Sequence, residues 1–451
     1  MERTSSVVIQ EGGAEDSVFD DDGRLKRTGT VVTASAHIIR ALIGSGVLLL
    51  AWAMAQLGAI AGPIVLIVFS VITLYTSILL TDCYRSPDGT RNHSYMDAVR
   101  THLGGKNFMF CAIAQYATLI GLSTGYAITT ALSLGAIERT ICYHKKGRQR
   151  SECTPSTRNY ILEFGVLQII LSQIPNIRKL SFVSVVASLM SFSYSLIGVA
   201  LSAARIASMP RSKSKLCAKL KFEFFVELIF VHACMQDTLR ASPREKRVMK
   251  EATCVGIAVS SVFYALCGAL GYAAFGIDAS GNLLTDDHAF YEPYWLLAFA
   301  NACIAVHLVG AYQVFSQPVF AFVEGWCRRR WGEGGWVMRG AEYELCGGTV
   351  EVSPFRFLWR SSYVAGTVAA ALVFPFFNAF VGLLGAISFW PLTIYFPIEM
   401  YIVKGRVRKW SLTWGCLQGV SFVCLLVSLL AAAGSVRNLI KSLMHYKPFA
   451  S

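Results

Sequence analysis

Residues Thr30 to Leu57 form a long apolar run broken at its centre by Gly44-Ser45-Gly46. A run of that length crosses a bilayer, which takes about 20 apolar residues. A helix that merely spans has no use for two glycines at its middle. Glycine loses more backbone entropy on ordering than other residues, and it lets the chain leave the helical region. A spanning helix interrupted near the midplane is the device with which secondary transporters hold a solute.

Composition agrees with a lipid environment. Of 451 residues, 54% are hydrophobic and 15% charged, against about 25% charged in soluble domains. The chain therefore reads as an all-α polytopic membrane protein. Its net charge of +13 does not point to nucleic acid, because the bases sit in short loops beside apolar runs, where membrane topology is encoded. The segment 1–29 mixes acids and bases without an apolar core, so no cleavable signal peptide is expected and the first span directs insertion.

Apolar runs mark ten spans, at 30–57, 60–82, 108–137, 159–175, 180–204, 251–275, 293–324, 360–377, 381–403 and 411–434. Arg85, Arg91, Arg100 and Lys106 follow the second span, and Lys404, Arg406, Arg408 and Lys409 follow the run at 381. The loop Gly276–Tyr294 has no Lys or Arg and four acids. With a cytoplasmic N-terminus, these loops obey the positive-inside rule only if the chain crosses once more between 204 and 251. The sole candidate, Phe222–Gln236, has 15 residues and carries Glu223, Glu227 and His232. At about 1.5 Å per residue it is short for a hydrocarbon core of about 30 Å. About eleven helices are expected, the sixth short or degenerate, with a cytoplasmic tail at 1–29, a membrane domain at 30–434 and an outer tail at 435–451. The sequon Asn92-His93-Ser94 then lies on the cytoplasmic side and is expected to stay unmodified.

Opening a helix in hydrocarbon frees backbone N–H groups at several kcal/mol each. A bound carboxylate can satisfy them, aided by the dipole of the half-helix that restarts at Val47. Helix packing through small residues is the competing explanation, but it calls for spacing of four rather than two. His37 and His307 are ionisable groups inside spans and hence candidates for proton coupling or gating, with a neutral hydrogen-bonded role as the alternative. Asn301, Gln313 and Gln317 share the His307 span but form no single stripe, which points to packing on several sides. Arg40, one turn before Gly44, is expensive in a bilayer unless it meets a vestibule or an acid such as Glu227. Most of the 13 cysteines lie inside apolar runs; Cys142 and Cys153 instead flank a polar loop and are the disulfide candidate. No nucleophile, metal cluster or phosphate loop accompanies Glu223 and Glu227, so an enzyme is not expected.

At these residues the chain resembles the plant amino acid permeases, in the amino acid/auxin permease branch of the amino acid–polyamine–organocation superfamily. The resemblance is carried by IGSGVLLLAWAMAQLG, LLTDCYRSPDGTRNHSYMDAVR, NACIAVHLVGAYQVFSQPVFAFVE, FWPLTIYFPIEMY and the terminal YKPF. It implies a LeuT-like inverted five-plus-five repeat with an eleventh helix, and proton-coupled import of amino acids across the plasma membrane. The proton is the coupling ion; no other cofactor or metal, and no nucleic acid, is expected. Carried over, Ile43, Gly44, Ser45 and Gly46 hold the substrate carboxylate through backbone groups, and His37 and His307 match family histidines thought important for transport. The Cys142/Cys153 spacing also matches the family's outer loop. Two departures stand out: Arg40 replaces a small uncharged residue, and the resemblance lapses from about Arg205 to Met235, where helix 6 belongs. A transport-inactive relative is the alternative reading.

Overall fold

The computed structural model describes residues 29–146, 153–174, 181–208, 244–279, 281–285, 290, 292–332, 341–345, 348–373 and 377–445. The candidate sixth span, with Glu223, Glu227 and His232, lies outside them, as does the terminal YKPF.

The first span is two helices, α1 (Val31–Leu42) and α2 (Leu50–Leu57), joined by a 3₁₀ turn over Ser45–Leu49. Then follow α3 (Ala61–Asp82), the short α4 (Tyr95–Leu103), α5 (Gly105–Lys146), α6 (Thr157–Ser172) and α7 (Ser181–Ser208). After the undescribed segment come α8 (Arg244–Phe275), α9 (Tyr294–Trp331), a hairpin of β1 (Ala341–Leu345) and β2 (Gly348–Val352), and α10 (Pro354–Val373). The tenth span is α11 (Phe377–Ser388) and α12 (Phe396–Lys404), joined by a π-helical turn over Phe389–Tyr395; α13 (Leu412–His445) closes the bundle. Thus α13 continues past the expected boundary at 434.

Surface chemistry marks this as a membrane bundle. On α3, Ile64, Ile67, Val68, Val71 and Tyr75 form an exposed stripe, while Ser70, Thr73, Thr76 and Ser77 are buried. That inverts the soluble pattern of apolar inside and polar outside. In lipid the outward face gains nothing from being polar, and small hydroxyl residues let helices approach closely. At about 1.5 Å per residue the 22 residues of α3 reach about 33 Å, enough to cross.

The packing pattern carries a two-fold relation between halves. The long helices α5 and α9 pack on each other at the centre, and α3 packs on α8. Exchanging α3 with α8, α5 with α9, α6 with α10 and α7 with α11–α12 maps the main contacts among these helices onto one another. Thus α5 meets α11 as α9 meets α7, α3 meets α12 as α8 meets α7, and α5 meets α10 as α9 meets α6. An inverted repeat requires this reciprocity. The final helix, α13, lies outside the repeat and packs on α11.

Close approach holds the broken span against α8. A Cβ at Gly256 would lie 2.5 Å from Ile38 Cγ2, so the absence of a side chain there lets α1 settle onto α8 (the role small residues play between helices in lipid).

Ion pairs gather at the basic end of the bundle. Asp82 receives Lys246 at 2.7 Å and Lys250 at 2.8 Å, and buried Glu245 receives Arg85 at 2.9 Å. These tie the end of α3 to the start of α8. Between α3 and α4, buried Asn92 donates to the Tyr84 carbonyl at 3.0 Å and accepts from Ser86 and Thr101. The sequon amide is thus consumed as a loop fastener.

Candidate functional site

The interruption in the first span is a compact turn in which the carbonyls of residues 42–44 each have a donor. Ile43 has φ −77° and ψ 75°, and the Gly44 N–H donates to the Leu42 carbonyl at 2.8 Å. This is an inverse γ-turn, which reverses chain direction in three residues. Gly44 is then extended, with φ −112° and ψ −163°. Its backbone is open to any residue, so the left-handed freedom of glycine is not what the break uses here.

Leaving the helix at residue 43 releases carbonyls that hydrocarbon cannot solvate. Two neighbours take them. The Tyr264 hydroxyl on α8 donates to the Leu42 carbonyl, and the Ser191 hydroxyl on α7 donates to the Ile43 carbonyl. The Val47 N–H donates to the Gly44 carbonyl at 3.2 Å and starts the 3₁₀ turn. The Ser45 and Gly46 N–H groups precede that first bond and have no backbone acceptor among the described residues. The Leu42, Ile43 and Gly44 carbonyls thus have donors while the Ser45 and Gly46 N–H groups lack a backbone acceptor among the described residues, and open N–H groups at the start of a helical segment suit an anion.

His307 is buried on α9. Its Nδ1 lies 2.8 Å from the Ala187 carbonyl of α7, and its ring meets Tyr194 edge-on at 5.8 Å. A carbonyl can only accept, so Nδ1 carries a hydrogen; when the ring is neutral, Nε2 is the lone pair. His37 and Arg40 are half-buried on α1. Arg40 lies within electrostatic reach of both His37 and His307, and it has no carboxylate partner among the described residues. Three groups 270 positions apart at their extremes thus share one electrostatic neighbourhood beside the break. Glu227, the acid considered for Arg40, lies outside the described residues.

The polar residues of α9 fan out to different neighbours. Asn301 donates to the Leu284 carbonyl at 2.8 Å and pins the buried turn 281–285. Gln313 donates to Gln168 Oε1 on α6 at 2.6 Å and to Ser172 at 3.1 Å. They serve packing on separate faces, as their spacing led one to expect. Cys142 and Cys153 form a disulfide with Cα atoms 5.9 Å apart, joining the end of α5 to the segment before α6. No group of three His, Cys, Asp or Glu among the described residues is placed to hold a metal ion.

Ser191 and Tyr264 were not legible as site residues. Each is an ordinary hydroxyl within an apolar helix, 148 and 222 positions from the carbonyl it serves. Only the alternation of open donors and filled acceptors in the folded break reveals them.

Comparison with known proteins bears on the family and the fold. The family model described as "Transmembrane amino acid transporter protein" matches residues 27–441. Amino acid permease 8 of Arabidopsis thaliana is 50% identical over 465 residues, covering 98% of this chain and 97% of that relative. Amino acid permease 6 of the same plant is 47% identical and covers 100% and 99%. Among solved structures, the nucleobase–cation symport-1 family transporter Mhp1, in a closed conformation with bromovinylhydantoin bound, superposes with a TM-score of 0.54. It shares 14% identity, with 94% of this chain and 95% of that chain covered, and so speaks for the fold alone. The broken first span, the reciprocal packing of its halves and near full-length similarity converge: this chain belongs to the transmembrane amino acid transporter family.

Proposed function

We propose that the chain imports amino acids across the plasma membrane together with protons, with its N-terminus cytoplasmic and its C-terminus outside. The observation that supports this reading is the pair of Ser45 and Gly46 N–H groups without a backbone acceptor among the described residues, beside Leu42, Ile43 and Gly44 carbonyls that already have donors. In this reading the substrate α-carboxylate docks on the backbone of Ile43, Gly44, Ser45 and Gly46. The relatives named amino acid permeases support the substrate class. Rocking of one half-bundle against the other then exposes the site to each side in turn.

His37 and His307 are the proposed coupling or gating groups. With Nδ1 held by the Ala187 carbonyl, Nε2 of His307 is the ring nitrogen that can take and release a proton. A proton gradient supplies about 1.4 kcal/mol per pH unit, and the membrane potential adds about 2.3 kcal/mol per 100 mV for each charge moved.

The test is uptake of a labelled amino acid panel at pH 5 and pH 7.5 in cells lacking their own permeases, with surface expression measured alongside. Acid-stimulated uptake is expected. His307→Asn keeps a donor for the Ala187 carbonyl but cannot titrate; it is expected to retain uptake and lose the acid stimulation. Uptake insensitive to pH in the parent chain overturns the coupling. A second reading, a relative that binds without turnover, is favoured by Arg40 standing beside the break without a carboxylate partner among the described residues. Normal surface expression with no uptake, restored by Arg40→Ala, would select it.

A further inference from the structure

Outside the transport site, the turn between α12 and α13 has an unusual surface. Trp410 is 87% exposed and Leu412 is 85% exposed, the two highest exposures among the large apolar residues described. In water such side chains would be a liability. The turn nevertheless has a defined backbone: Gly405 donates to the Tyr401 carbonyl at 2.8 Å, Val407 to Ile402 at 3.0 Å and Ser411 to Arg408 at 3.2 Å. Ser411 caps α13 by accepting from the Trp414 N–H, and the Trp410 and Trp414 rings lie 5.1 Å apart. Arg406 and Trp410 are held at φ 47° and 65°, a conformation uncommon outside glycine.

Charge surrounds this apolar tip. Arg406, Arg408 and Lys409 are exposed and make no ion pair with any described residue. Their neighbour Lys404 has another task, donating to the Arg85 carbonyl at 2.6 Å. No Asp or Glu follows Glu399 in the chain, and Glu399 already accepts from Gln418 at 2.7 Å. The turn joins the ends of two spanning helices, so it sits at the depth where hydrocarbon gives way to headgroups. Tryptophan prefers that depth, with its ring among chain ends and its N–H in the polar layer. Cations beside it meet lipid phosphates.

We propose that residues 404–414 form a binding surface for anionic phospholipids of the leaflet at the basic end of the bundle. Arg406, Arg408 and Lys409 engage the headgroups, while Trp410 and Leu412 enter the acyl boundary. A soluble anion would be served by the cations alone; the exposed Trp and Leu select a lipid.

The test uses the purified full chain in detergent. Retention of phosphatidylserine and phosphatidylinositol phosphate is compared with phosphatidylcholine by native mass spectrometry, with and without excess inorganic phosphate. The parent chain is expected to prefer the anionic lipids by about a hundredfold, since each of the three cations contributes about fivefold. The triple variant Arg406→Asn/Arg408→Gln/Lys409→Gln is expected to lose the preference. Arg406→Lys/Arg408→Lys, which preserves charge, is expected to keep it and to exclude misfolding as the cause. Trp410→Ala/Leu412→Ala is expected to lower anionic-lipid retention with the cations intact. An unchanged preference in the triple variant, unchanged retention in the apolar variant, or displacement of lipid by inorganic phosphate would each overturn the proposal.

Discussion

A Cβ at Gly271 on α8 would sit 2.4 Å from the Ala51 Cβ and 2.8 Å from Leu283 Cδ1. Ala51 belongs to α2, just beyond the break, and its Cβ has no rotamer with which to yield. Alanine at 271 gains about 1 kcal/mol of helix propensity, but overpacking of this kind costs about 1–3 kcal/mol. Gly271→Ala is therefore expected to lower thermal stability and surface yield, with Ala51→Gly in the same chain restoring part of both. His102 on α4 permits a pH test away from the spans. It is buried and donates from Nε2 to the Cys83 carbonyl at 3.0 Å. Burial holds its pKa below the usual imidazole value, against the raising effect of that bond. The unfolded chain then takes up the proton first, so the stability due to neutral His102 is complete above about pH 6.5 and is lost as pH falls from there toward the lower pKa of the folded state. Melting curves over this window are expected to show a loss that His102→Gln lacks; equal slopes in the two proteins would refute it.

Among elements, α6 ends against α10. Arg360 donates to Glu324 of α9 at 2.8 Å and to the Ser172 carbonyl at 2.7 Å, and its guanidinium lies 5.2 Å from the Phe320 ring centroid. One buried cation thus satisfies a carboxylate and an orphan helix-terminal carbonyl together. Removing one partner of such a pair leaves an uncompensated charge, which costs about 3–5 kcal/mol. Glu324→Ala is expected to destabilise more than Glu324→Ala/Arg360→Met, as a double-mutant cycle on melting temperature would show. The disulfide between Cys142 and Cys153 makes the opposite prediction about its two members. It closes a short loop worth about 3 kcal/mol in the chain-entropy model. Cys142→Ser, Cys153→Ser and the double variant are expected to melt alike and below the parent; additive losses would mean that the thiols contribute separately.

For the whole molecule, the existence of the spans was legible because transfer of an apolar segment into hydrocarbon is a local property of that segment. Their ends were less so. Helix α8 begins at Arg244 rather than 251, α9 runs to Trp331 rather than 324, and α13 reaches His445. Hydropathy registers only the part of a helix inside the bilayer, whereas the helix continues wherever backbone bonds and side chains allow. The break at Gly44-Ser45-Gly46 was also legible, since a small-residue interruption of an apolar run is a local signal. Its anatomy was not. That the turn pivots on Ile43, that Tyr264 and Ser191 fill its carbonyls, and that His37, Arg40 and His307 share one neighbourhood all depend on which helices pack together. The sequence by itself determined a multi-span helical chain with one interrupted helix and a basic end, because each is an exchange between a segment and its solvent. Only the tertiary structure decided which donors in the break stay open and which charges meet, because those follow from contacts across hundreds of residues.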